Sequence, residues 1–114
     1  MFDALKNLGN LGSMLARARE MQEKLGQVRE NLAAREVEAD AGGGMVRAVV
    51  NGRLELVRLH IDKSKIDPTD TELLEDMIVA AVHAAQTRAA AVARAELERL
   101  AQEAGLPPGA LPNL

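Results

Sequence analysis

Cysteine, tryptophan and tyrosine are all missing from this chain of 114 residues, and Phe2 is its only aromatic residue. Without cysteine there can be no disulfide framework and no thiolate metal site. Without interleaved aromatics there is no platform on which the bases of a single strand could stack. No apolar run approaches the roughly 20 residues that span a bilayer. No basic segment followed by an apolar stretch marks a signal peptide. A basic excess, the usual mark of a nucleic-acid binder, is absent too, since the formal net charge is −3. The hydrophobic fraction of 47% is rich in alanine, which buries little area. A single 114-residue domain of this make-up has a thin core, and self-association is the simplest remedy.

What is present is strongly patterned. Leu11, Met14, Ala18, Met21, Leu25, Val28 and Leu32 recur at alternating spacings of three and four, a heptad seam. Charged and polar residues flank it. Gly9 and Gly12 weaken the start, so residues 1–10 are predicted to be flexible and the helix to be sound from about Leu11. Val37 and Ala39 alternate with Glu36, Glu38 and Asp40, as in a short strand. After Gly42-Gly43-Gly44, Val46, Ala48 and Val50 share one strand face. Asn51-Gly52 predicts a two-residue type I′ turn into a third strand with Val57, Leu59 and Ile61 on the inner face. Leu54 and Leu56 then fall on the outer face, which is too apolar to be wholly open to water.

A second long helix is predicted to about Ala104, with Thr69 as N-cap and Glu72 as its capping-box partner. Acidic Asp70, Glu72, Glu75 and Asp76 suit its positive end. Gly105 suits the C-terminal cap, and residues 105–114 read as a flexible proline-rich tail. The order is α-β-β-β-α, an α+β fold with a small antiparallel sheet between long helices, and residues 11–104 form one domain. Helices of this length overhang three short strands. The unpartnered seam therefore predicts a homodimer, with Met14, Ala18, Met21, Leu25, Val28, Leu54 and Leu56 as candidate interface residues.

No pattern of catalytic chemistry stands out. His60 and His83 lie on different elements and make a poor metal site without cysteine. Ser13 and Ser64 lack a nucleophile-elbow context. The triple glycine is followed by neither Lys-Ser/Thr nor a helix, so it is no phosphate loop. Neither an enzyme activity, a cofactor, a metal nor a small-molecule substrate is expected.

Several segments, in order and spacing, resemble the YbaB/EbfC nucleoid-associated proteins of bacteria. They are Asn7-Leu8-Gly9-Asn10-Leu11, Ala18 to Lys24, Gly42 to Gly52, Leu59-His60-Ile61-Asp62, Leu73-Leu74-Glu75-Asp76 and Leu106-Pro107-Pro108-Gly109. The resemblance covers nearly the whole chain. It implies an α-β-β-β-α fold, a tweezer-like homodimer, and binding to double-stranded DNA in the cytoplasmic nucleoid; because no side-chain pattern suggests base-specific readout, little sequence preference is expected. Candidate DNA contacts are Arg17, Arg19, Lys24, Arg29 and Arg35 on the first helix and Arg47, Arg53 and Arg58 on the hairpin. For any one of them the plainer expectation is a solvated charge, several paired with Glu20, Glu23 or Glu30 at helical spacing. The alternative for the whole chain is a homodimeric protein-interaction module with weak or no DNA binding.

Overall fold

The computed structural model of the chain describes residues 2–107, with side chains from residue 7 onward. Helix α1 spans Phe2–Ala34, strands β1, β2 and β3 span Glu36–Ala41, Val46–Asn51 and Leu56–Ile61, and helix α2 spans Thr71–Glu103. The strands form one antiparallel sheet in the order β1-β2-β3. This is the α-β-β-β-α arrangement the hydrophobic pattern predicts. Residues 108–114, most of the predicted tail, lie outside the described part.

The core forms where small residues meet. Ala81, Ala85 and Ala89 recur every fourth residue of α2 and are fully covered. They pack onto Ala39 of β1 and Val46, Ala48 and Val50 of β2. Alanine on both surfaces lets the helix lie close to the sheet. α2 rests on β1 and β2, whereas β3 is left at the uncovered edge, with Leu56, Val57 and Leu59 each more than a third exposed.

Three local expectations are corrected. α1 begins at Phe2 and runs through Gly9 and Gly12, both of which keep a helical backbone. Two glycines at about 1 kcal/mol each do not outweigh the strong helix formers around them. The N-cap of α2 is Asp70, not Thr69: the Asp70 carboxylate accepts from the Leu73 amide at 3.2 Å. Thr69 is engaged one turn earlier, where its amide and hydroxyl both donate to Asp67 at 3.0 and 2.7 Å.

The third correction concerns the hairpin. Its loop is Gly52-Arg53-Leu54, three residues long, with the Leu54 amide donating to the Asn51 carbonyl at 3.0 Å. The positive φ is at Leu54 (67°), not at Asn51 or Gly52. A register shift follows, so Val50 faces Leu56 and Val57 is the extra, bulged residue. Leu56 therefore joins the Val50 side of the sheet, and Val57 leaves the predicted inner row. Gly52 serves another purpose. Its amide donates to the Leu32 carbonyl at 2.8 Å, and a Cβ there would overlap that oxygen. Only glycine lets the turn sit against the end of α1.

The end of α2 follows expectation. Leu106 and Gly105 donate to the carbonyls of Ala101 and Gln102 at 2.8 and 3.1 Å, a Schellman cap with Gly105 at φ 71°. The molecule is elongated, 81 × 21 × 18 Å, with a radius of gyration of 21.6 Å. A compact chain of this length has about 13 Å. Its 8277 Å² of accessible surface likewise exceeds the roughly 6,000 Å² of a compact monomer of this mass. Among the described residues no helix is long and apolar enough to cross a membrane.

Candidate nucleic-acid interface

α1 behaves as two different helices. Its last turns are held: Leu32 is buried, Val28 and Leu32 face Glu96 and Arg99 of α2 across a small cleft, and Arg35 pairs with Glu96 at 3.8 Å. Met21, Leu25 and Val28 are half-buried. Residues 7–20 are exposed throughout. This segment is an arm that leaves the body. Leu8, Leu11, Met14 and Leu15 on it are each more than half exposed.

The arm and its base carry Arg17, Arg19, Lys24 and Arg29, all exposed. Among the described residues none of the four is in an ion pair. The anticipated pairing with Glu20, Glu23 and Glu30 does not form, although the spacing would allow it. Arg17 and Lys24 are a heptad apart, so both stand beside the seam on one side of the helix.

The hairpin arginines differ. Arg58 makes a two-point contact with Glu36, at 2.9 and 2.6 Å, which holds the Glu36 carboxyl below its ordinary range. Arg47 pairs with Glu38 at 2.7 Å. In register, Val49 lies between Glu38 and Arg58, and these pairs flank it. Val49 is buried although its side chain points away from the α2 core. Two of the three hairpin cations are therefore neutralised within the sheet. The third, Arg53, is exposed on the turn and in no ion pair among the described residues. On α2, Arg88 donates to the Glu38 carbonyl at 3.0 Å and ties the helix to β1, while Arg99 is held between Glu96 and Glu103 at 2.8 and 3.3 Å.

The candidate cations thus sort into an open set on α1 plus Arg53, and a closed set of Arg35, Arg47 and Arg58. No spacing rule separates them, because Glu36, Glu38 and Glu96 reach their partners across strands and between helices. The candidate interface residues are dispersed as well. Met14 and Ala18 lie on the open arm, Met21, Leu25 and Val28 on the half-covered seam, and Leu54 and Leu56 at the β3 edge. Val57 and Leu59 belong with that exposed edge, a role hidden from the sequence because alternation assigns them to the core. Among the described residues no group of carboxylates and histidines is arranged to hold a metal.

The chain thus combines an α-β-β-β-α body with a long helical arm. The profile of the YbaB/EbfC DNA-binding family matches residues 7–104, and the chain belongs to that family. A nucleoid-associated protein of Streptomyces avermitilis is 47% identical over 105 residues, covering 92% of this chain and 91% of that one. A nucleoid-associated protein of Thermoanaerobacter pseudethanolicus is 40% identical over 98 residues, covering 86% and 88%. The crystal structure of an uncharacterized protein from Helicobacter pylori superposes with a TM-score of 0.59 at 27% identity, over 82% of this chain and 90% of that one.

Proposed function

We propose that the protein binds double-stranded DNA in the bacterial nucleoid as a homodimer, with little sequence preference. The observation that carries this reading is the arm and its base, where Arg17, Arg19, Lys24 and Arg29 stand exposed and, among the described residues, without acidic partners. Membership of a DNA-binding family agrees with it. Cations spread along a helix suit phosphate contacts, which position a protein on the duplex without reading bases. With a net charge of −3 the attraction must be local to this surface, and it should weaken steeply with salt.

Homodimerisation is supported by the β3 edge and the open seam. Leu54, Leu56, Val57 and Leu59 expose apolar surface beside unpaired backbone groups, an arrangement that favours pairing with another chain. A dimer would double the arm cations and set two arms around one duplex.

Gel shifts with duplexes of unrelated sequence, repeated at rising salt, test the DNA reading. Shifts of similar midpoint on all duplexes are expected, lost as salt rises. No shift at low salt and micromolar protein would overturn it. Light scattering tests the dimer separately: a mass of 12.2 kDa instead of twice that value would refute it. The apolar arm residues Leu8, Leu11, Met14 and Leu15 favour a second reading, a module that holds another protein. Partners that survive nuclease treatment of a lysate, with no duplex shift, would select it.

A further inference from the structure

The Asn51–Leu54 turn is fastened far more firmly than an exposed hairpin loop requires. The Asn51 side-chain oxygen accepts from the amides of Arg53 and Glu55, at 2.9 and 3.2 Å. The Gly52 amide is tied to Leu32 of α1 at 2.8 Å. The Leu54 carbonyl accepts from Gln86 Nε2 of α2 at 3.1 Å. Leu54 itself is held at φ 67°, a region a leucine rarely adopts. Such a conformation persists where surrounding contacts over-determine it, and it concentrates at working sites.

Apart from a long contact of Asn51 Nδ2 with Glu55 Oε1 at 3.5 Å, the bonds that hold this turn all engage backbone groups, and its one charged side chain, Arg53, is left out of them. Arg53 is exposed and unpaired among the described residues, whereas Arg47 and Arg58 on the same hairpin are closed by Glu38 and Glu36. The tie to Leu32 also fixes where Arg53 stands. It is next to the root of the arm, and Arg29 stands one helical turn before Leu32.

We infer that the Asn51–Leu54 turn is a rigid phosphate contact at the root of the arm, with Arg53 as the contacting side chain and Asn51 and Gln86 as positioning residues. This rests on the DNA-binding reading above. The Arg53 guanidinium would donate to phosphate oxygens, a charge-assisted contact that needs no base recognition. The turn is tied to the end of α1 and to α2, so Arg53 stands at a fixed place beside the root of the arm, from which the arm cations reach along the duplex.

The test is the salt dependence of duplex affinity in the full-length protein. Arg53→Ala should lower the slope of log K against log salt by about 0.9 per bound copy, with an unchanged melting temperature, because its side chain supports nothing in the fold. Arg53→Lys should restore the slope while binding more weakly than wild type, because a lysine keeps the charge but not the two-point geometry. Gln86→Ala, which frees the Leu54 carbonyl, should weaken binding about threefold, as loss of one hydrogen bond implies, and leave the slope unchanged. A wild-type slope in Arg53→Ala overturns the proposal and leaves the arm reading standing, as does failure of lysine to restore the slope. Unchanged affinity in Gln86→Ala removes its positioning role. If the wild type shifts no duplex, both readings fall.

Discussion

The body and the arm of this molecule are built from the same kinds of residue and do opposite things with them. In the body, alanines at positions 81, 85 and 89 are buried against Val46, Ala48 and Val50 of β2. On the arm, much larger side chains such as Leu11 and Leu15 stand more than half exposed. Charges divide the same way. The sheet closes Arg47 and Arg58 with carboxylates, whereas the arm leaves Arg17 and Arg19 unpaired although Glu20 and Glu23 are close in sequence. The difference lies not in residue type but in whether the fold supplies a partner.

The joint between the two regions is the place to break this contrast most severely. Gly52→Ala would drive a Cβ into the Leu32 carbonyl oxygen and remove the hydrogen bond that accompanies the contact. A loss of about 3 kcal/mol is expected, read from the urea midpoint. An unchanged midpoint would mean that arm and body are not joined there.

A matched pair sharpens the comparison. Val50→Ala, in the fully covered core, should destabilise by about 2 kcal/mol. Leu15→Ala, on the arm, should stay within about 0.5 kcal/mol at protein concentrations that favour a monomer. If the arm substitution becomes costly at high concentration, a second copy covers the seam. If it is costly at every concentration, the arm packs within its own chain.

The smallest effect is in acid. Arg58 lowers the Glu36 carboxyl below its ordinary 4.5, and hydrogen bonds from Ser64 and Thr69 lower Asp62 and Asp67 below their ordinary 3.8. A lowered folded-state value means the unfolded chain takes up the proton first as pH falls. These groups therefore contribute fully above the ordinary values, and the contribution fades as pH drops through the depressed ones. Stability should fall below about pH 5. Arg58→Ala should make that acid limb shallower, because it removes the cause of the Glu36 shift. The measurement is the denaturant midpoint against pH, and an acid limb of wild-type slope in Arg58→Ala would count against the pairing.

Much of the fold was legible because its signals are local. Alternation placed Val46, Ala48 and Val50 inward, and Gly105 marked the end of α2. The turn was misread because Asn-Gly is a sufficient reason for a type I′ hairpin, yet here glycine answers to a distant residue, Leu32. Displacing the left-handed position to Leu54 shifted the register, which moved Val57 out of the core row. The helix start at Asp70 was missed by one residue because Thr69 had a competing partner in Asp67. At the candidate interface the cations were legible as a set. Their division was not, because strand diagonals and the α1–α2 crossing decide which of them meet a carboxylate.

The Leu32 carbonyl oxygen receives two donors, Gly52 and Arg35, at 2.8 and 3.1 Å. Mechanically it is a fulcrum. From there α1 extends toward Phe2 for about 45 Å at the helical rise, so a pull on its tip acts with a long moment on this joint and on the Val28 and Arg35 contacts beside it. Torque applied to the arm would be felt as strain in the Gly52–Leu32 bond. The Gly52 amide is then a natural strain gauge, whose hydrogen-exchange rate should report load on the arm.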